Sequence, residues 1–206
     1  MKRRFTLLAA LFLLLTTGLV WGQTRDEEVY STCLFGANYN SQSVSNYTST
    51  WSTTNGGFTW DIANGNNNGN AWSFVKFGRK NNASVGTIIT NAAYSVAVTK
   101  VNLTIDALTA AKINSIKLYT SSDGSSWNEA GEFSKATGTQ TVSLSSPAAS
   151  LYYKIEFDCA SGSSNGLITV SKVEYYKESG GQQSVATPTF SPEAGNYTTA
   201  QNVTIS

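Results

Sequence analysis

Residues 117–133, KLYTSSDGSSWNEAGEF, constrain the fold more than any other stretch. Ile116, Leu118 and Tyr119 run into a polar segment centred on Asp123 and Gly124, and Trp127 reopens the chain toward Ala130 and Phe133. Asp-Gly between two such runs is a strong hairpin signal, because Gly accepts positive φ and Asp tolerates it. Much of the remaining chain repeats the pattern, with short alternating strands separated by Gly, Asn and Ser.

Residues 98–106 form the clearest strand, with Val101, Leu103 and Ile105 facing in and Lys100, Asn102 and Thr104 facing out. Phe58, Trp60 and Ile62 alternate in the same way, as do Tyr153, Ile155 and Phe157. Further strands are expected at 29–35, 71–77, 85–89, 139–144 and 168–176. In the last of these the apolar positions change phase between Val170 and Val173, which predicts a β-bulge. Residues 108–112 fit one helical turn or a loop. Residues 36–55 read as polar connection, and 64–70, NGNNNGN, as a flexible loop. The fold class is all-β, a sandwich spanning 23–177.

Both ends of the chain read differently. Residues 1–22 have a basic start (Lys2, Arg3, Arg4), an apolar run and small residues before Gln23, the pattern of a cleaved signal peptide. The apolar run is short of the roughly 20 residues that span a bilayer. A secreted, periplasmic or cell-surface location follows, with no membrane insertion after cleavage. Residues 178–184 are a linker by composition. Residues 185–206 start a second β-domain with strands near Phe190 and at 203–205. So short a piece cannot bury a core, so the 206 residues are read as a fragment of a longer protein and the sandwich as a monomeric domain of it.

Composition narrows the chemistry. Only 13% of residues are charged, and without Lys2, Arg3 and Arg4 the balance is 11 basic against 13 acidic residues. No Lys/Arg stripe of the kind nucleic acid requires is present. The chain has no His, which removes Ser-His-Asp and Cys-His catalysis and His-ligated zinc. No pair of carboxylates is marked out as a glycosidase pair. Cys33 and Cys159 are the two cysteines. They allow one disulfide between the first strand and a late one, or two separate buried thiols.

With these strands in place, 71–176 resembles the galactose-binding-like, discoidin-like jelly rolls of secreted bacterial multidomain proteins. The likeness rests on VTKVNLTID before the Asp-Gly hairpin, and on YYKIEF before a closing ITVSKVEYY. The tail, PTFSPEAGNYTTAQNVTIS, is similar to the start of the chitobiase/β-hexosaminidase C-terminal-type domain through Pro188, Phe190, Pro192, Gly195, Tyr197 and Val203. That domain is an immunoglobulin-like accessory module. The resemblances imply a jelly roll followed by an incomplete Ig-like domain. They supply no catalytic residue and no cofactor, and they allow a structural calcium, although no Asp-rich loop has calcium-binding spacing.

Jelly rolls of this type often bind ligands among loops at one end. Trp51 and Trp72 border loops and are candidates for stacking on sugar faces, whereas Trp60, in phase with Phe58 and Ile62, belongs to the core. Asn66, Asn67 and Asn68 are candidates for hydrogen bonding hydroxyls, and Arg79 for bidentate contacts. The sequence reading is a non-catalytic accessory module for a glycan or cell-surface polysaccharide. The alternatives are a structural spacer or adhesion module, and an appendage of a hydrolase whose catalytic domain lies beyond residue 206.

Overall fold

A computed structural model describes residues 26–180, together with the backbone of the short strands Phe190–Ser191 and Thr204–Ile205. Those two strands pair antiparallel, Phe190 opposite Ile205. The segment read as a signal peptide (1–22), most of the linker and the rest of the second β-domain lie outside the described residues.

Eleven strands build the described domain: β1 Glu27–Leu34, β2 Thr50–Asn55, β3 Phe58–Ala63, β4 Val75–Phe77, β5 Ser84–Thr90, β6 Val98–Leu108, β7 Ile113–Ser121, β8 Asn128–Glu132, β9 Gly138–Ser143, β10 Tyr152–Cys159 and β11 Ile168–Glu178. One sheet has the order β1-β11-β6-β9, with β4 also paired to β11. The other has the order β2-β3-β5-β10-β7-β8. All these pairings are antiparallel, and most connections cross from one sheet to the other, giving a jelly-roll β-sandwich.

The inward faces follow from side-chain alternation. Strand register lines up Trp51, Ile62, Ile88, Ile155 and Leu118 as one row across five strands. Cys33, Val173 and Leu103 form a facing row in the other sheet. All eight side chains are buried. The Asp-Gly hairpin forms between β7 and β8. Asp123 closes its turn by accepting bonds from the backbone N–H of Ser126 and Ser125 and from the Ser121 and Ser126 hydroxyls. Those donors, the two N–H groups first, hold its carboxyl well below the usual carboxylate range. The phase change in the last strand is a bulge at Ser171. Its hydroxyl donates to Asp106 at 2.9 Å, the extra residue on the facing strand β6.

Several expectations change. Residues 36–55 are not all connection, because β2 occupies Thr50–Asn55 and pairs with β3 across a two-residue turn. Gly56 and Gly57 both have positive φ there, the geometry that a tight hairpin demands. The strand expected at 71–77 is confined to Val75–Phe77. Strand β11 runs to Glu178, opposite Glu27, and the Ser179 N–H donates to the Asp26 carbonyl, so the sheet continues into the segment read as linker.

Of the two alternatives for the cysteines, the structure has the second: Cys33 and Cys159 are free, buried thiols. Cys33 sits on β1 opposite Val173, whereas Cys159 ends β10 in the other sheet opposite Ser84. Each packs as a small apolar side chain. Burial drives the Cys33 thiol far above its ordinary value, and burial together with Asp158 pushes Cys159 up to about 12. A thiol reagent should therefore label neither cysteine in the native protein and both after denaturation. The melting temperature should be the same with and without dithiothreitol. A lower melting temperature under reductant would restore the disulfide.

One side chain fixes the separation of the sheets at the β4 corner. The Phe77 ring, from β4, stacks on Phe157 of the opposite sheet with centroids 4.4 Å apart and planes at 12°. It fits because Gly86 lies directly opposite Phe157 and has no side chain. A Cβ on Gly86 would come within 2.2 Å of Phe77 Cδ1. Gly86→Ala should destabilise the domain by about 1–3 kcal/mol, the cost of overpacking a filled core. Urea unfolding followed by Trp fluorescence measures this, and an unchanged midpoint would mean that the corner is looser than described.

Candidate functional site

An open cleft of about 560 Å³ lies at one end of the sandwich, lined by residues 45–48, Asn66, residues 79–82 and Asn165. Four connections meet there: β1 to β2, β3 to β4, β4 to β5, and β10 to β11. Each is long enough to reach its neighbours and short enough to be held by them.

Backbone bonds stitch the walls together. Asn66 and Lys76 exchange N–H···O bonds of 3.0 Å in both directions, tying the β3–β4 connection to β4. The Asn81 N–H donates to the Gly162 carbonyl at 2.9 Å, and the Gly162 N–H donates to the Arg79 carbonyl at 3.1 Å. Asn165 Oδ1 accepts from the Lys80 N–H at 2.7 Å. The basic turn and the β10–β11 connection therefore form one wall.

The opposite wall depends on Asn67. Its Oδ1 accepts from the N–H groups of Val44 and Asn70 at 2.9 and 3.0 Å, and its Nδ2 donates to the Gln42 carbonyl at 2.7 Å. Backbone bonds from the Asn67 and Gly69 N–H groups to the Val44 carbonyl complete the junction. The stretch read as a flexible loop is a hydrogen-bonded plug clamped to 42–45.

This geometry sorts the sequence candidates. Asn66 and Arg79 line the cleft. Asn67 does not, because it is fully buried and its amide is occupied by backbone, so its reading as a ligand residue is corrected to a structural one. Asn68 is exposed, with φ 55°, and its N–H donates to Asn66 Oδ1, so it holds the shape of the loop beside the cleft. Trp51 is also corrected. It is 2% exposed, packs edge-on against Phe35 and donates from Nε1 to the Gly65 carbonyl at 2.7 Å, so neither ring face is open to a sugar. Trp60 is in the core as expected and donates to the Tyr94 hydroxyl.

Trp72 is half-buried and stacks on Phe74 with centroids 5.0 Å apart. Lys76 Nζ lies 4.7 Å from the Trp72 ring centre and 5.5 Å from that of Phe74. This stack does not line the cleft but adjoins it at Gly166, where an added Cβ would lie 2.9 Å from the Lys76 stem and 3.1 Å from the Tyr47 hydroxyl.

The sequence reading missed Asn46, Tyr47, Lys80 and Asn165, all of which line the cleft. Tyr47 is half-buried against Asn66, and burial raises its phenol, partly offset by the Asn66 bond. Asn165-Gly166 just before the last strand was the one local signal available, since Asn-Gly marks a turn that projects side chains. Chemically, the cleft can hydrogen-bond and can attract charge. No Asp, Glu, His or Cys lines it, and the described residues contain no group of three or more such residues able to hold a metal.

No family model matches the chain, and no curated protein does. Among solved structures it is similar to CBM32-1 from a family 31 glycoside hydrolase of Clostridium perfringens, at 17% identity, over 51% of this chain and 77% of that one, with a TM-score of 0.36. At that overlap the likeness bears on neither the ligand nor the roles of individual residues.

Asn67→Ala should cost about 1–3 kcal/mol, because three partly buried backbone groups lose their partner in the buried amide. Hydrogen exchange should speed up at Val44 and Asn70 and stay unchanged at the β7–β8 hairpin. Uniform acceleration would mean that Asn67 supports the whole domain rather than this wall.

Proposed function

We propose that the domain is a non-catalytic recognition module for a glycan, exported as an accessory part of a larger surface or secreted protein. The observation that carries the reading is the cleft itself. Its walls are cross-linked by backbone bonds, it has room for one or two sugar rings, and it offers amides, the Tyr47 phenol and the Arg79 guanidinium. Pre-formed walls lower the ordering cost of binding. Sugars are recognised through many directional hydrogen bonds, and the lining is almost wholly of side chains able to make them. The adjoining Trp72–Phe74 stack supplies an aromatic edge for a longer chain leaving the cleft.

Glycan-array screening followed by titration calorimetry tests the reading. At least one saccharide should bind, and Tyr47→Ala should weaken it about tenfold or more while leaving the melting temperature within a few degrees. Trp72→Ala should weaken long oligosaccharides more than short ones. A protein that binds no saccharide on a broad array would instead favour a spacer or adhesion module.

A further inference from the structure

Two amide donors of the cleft have no partner among the described residues, and no charged acceptor lines it. Asn165 Oδ1 faces the Lys80 N–H, which fixes the amide orientation and leaves Nδ2 without a partner among the described residues. Asn46 is fixed in the same way. Its Oδ1 accepts from the Thr48 N–H at 2.9 Å and from the Thr48 hydroxyl at 3.2 Å, so its Nδ2 is the unused end. Among the described residues Arg79 and Lys80 form no ion pair, although Lys100, Lys117, Lys154, Lys172 and Lys177 all do. Two cations and two oriented amide donors thus line one cleft that contains no carboxylate.

A neutral sugar presents hydroxyls, each of which has a proton to give, and a site for it is strengthened by charged acceptors. This cleft has none. An anionic group reverses the requirement: it has only acceptors, and a planar or tetrahedral oxyanion matches the guanidinium fork. Lys76, Lys112 and Lys135 also form no ion pair among the described residues, but only Arg79 and Lys80 line the cleft, where they stand side by side with no carboxylate to neutralise them.

We propose that the cleft selects an acidic saccharide, holding its carboxylate or sulfate group between Arg79, Lys80 and the amides of Asn46 and Asn165. The proposal rests on the glycan reading above and sharpens it to a substrate class. Arg79 takes the oxyanion, the two amides orient it, and Lys80, the more exposed of the two cations, raises the rate of encounter.

The test is calorimetry of the intact protein against a uronate polymer before and after carboxyl reduction, a sulfated polysaccharide before and after desulfation, and a neutral galactan. The expected result is binding of one or both acidic polymers, lost on neutralisation and weakened by added salt. Arg79→Ala should reduce affinity at least about tenfold, the scale of a charge-assisted hydrogen bond. Arg79→Lys should recover only part of it, and Lys112→Ala, outside the cleft, should change little. If the carboxyl-reduced polymer loses binding, the bound group is carboxylate, and if the desulfated polymer does, it is sulfate. Equal binding of neutral and acidic polymers, with Tyr47→Ala abolishing both, would overturn the acidic preference and leave the glycan reading standing. Binding of polyglutamate as strong as that of the polysaccharides, or equal losses from Lys112→Ala and Arg79→Ala, would reduce the effect to non-specific charge and overturn the proposal. Failure to bind either acidic polymer would overturn the acidic preference, while the glycan reading falls only if the broad array also shows no binding.

Discussion

Much of the domain's cleft-bearing end hangs on one ring. Phe77 reaches from the shortest strand of one sheet into the other, stacks on Phe157 and occupies space left by two glycines. Gly86 opposes Phe157, and a side chain on Gly65 would strike Phe77, Val75 and Ile62 together. Protein interiors are packed closely enough that such vacancies are filled or paid for in stability. Here the vacancy is the socket. A three-residue strand has little ladder of its own, so its position depends on that ring.

The consequence reaches the surface within two residues. Strand β4 carries Lys76, whose backbone pairs with Asn66, and it leads directly through Gly78 into Arg79. Gly78 has φ +94°, and a Cβ there would meet Leu167 at 2.7 Å, so the turn is pressed against the start of β11. The cleft is therefore not a gap between mobile loops. It is the rim of a core corner, with its donors aimed by backbone groups that themselves need partners.

How much of this was legible in the sequence differs by level. Val98–Leu108 and the Asp123-Gly124 hairpin were readable because their information is local: alternation in the one, turn chemistry in the other. The bulge in β11 was readable for the same reason, as a break of phase. Strand β2 was missed although Asn55-Gly56-Gly57 marks its turn. Reading that turn would have set Trp51 opposite Ile62 and consigned it to the core. Asn67 and Asn66 are neighbours of identical type, yet one is a buried strut and the other lines the cleft. Nothing in NGNNNGN separates them, because the difference is made by the carbonyl of Gln42 and the N–H of Val44, more than twenty residues away. Asn165 and Lys80 are farther apart still. Sites assembled by such long-range pairing leave little trace in spacing or periodicity.

The register of β1 against β11 has an architectural meaning. Glu27 lies opposite Glu178, so the chain enters and leaves the sandwich side by side. The other end of β11, at Ile168, follows directly on the connection that carries Asn165, and eleven extended residues separate the two ends by roughly 33 Å. The domain is thus built like a knob on a stalk, with its attachment points at one pole and its cleft toward the other. Another chain could carry it as a loop graft, opening a single peptide bond to receive both ends, and the cleft would still point away from that chain.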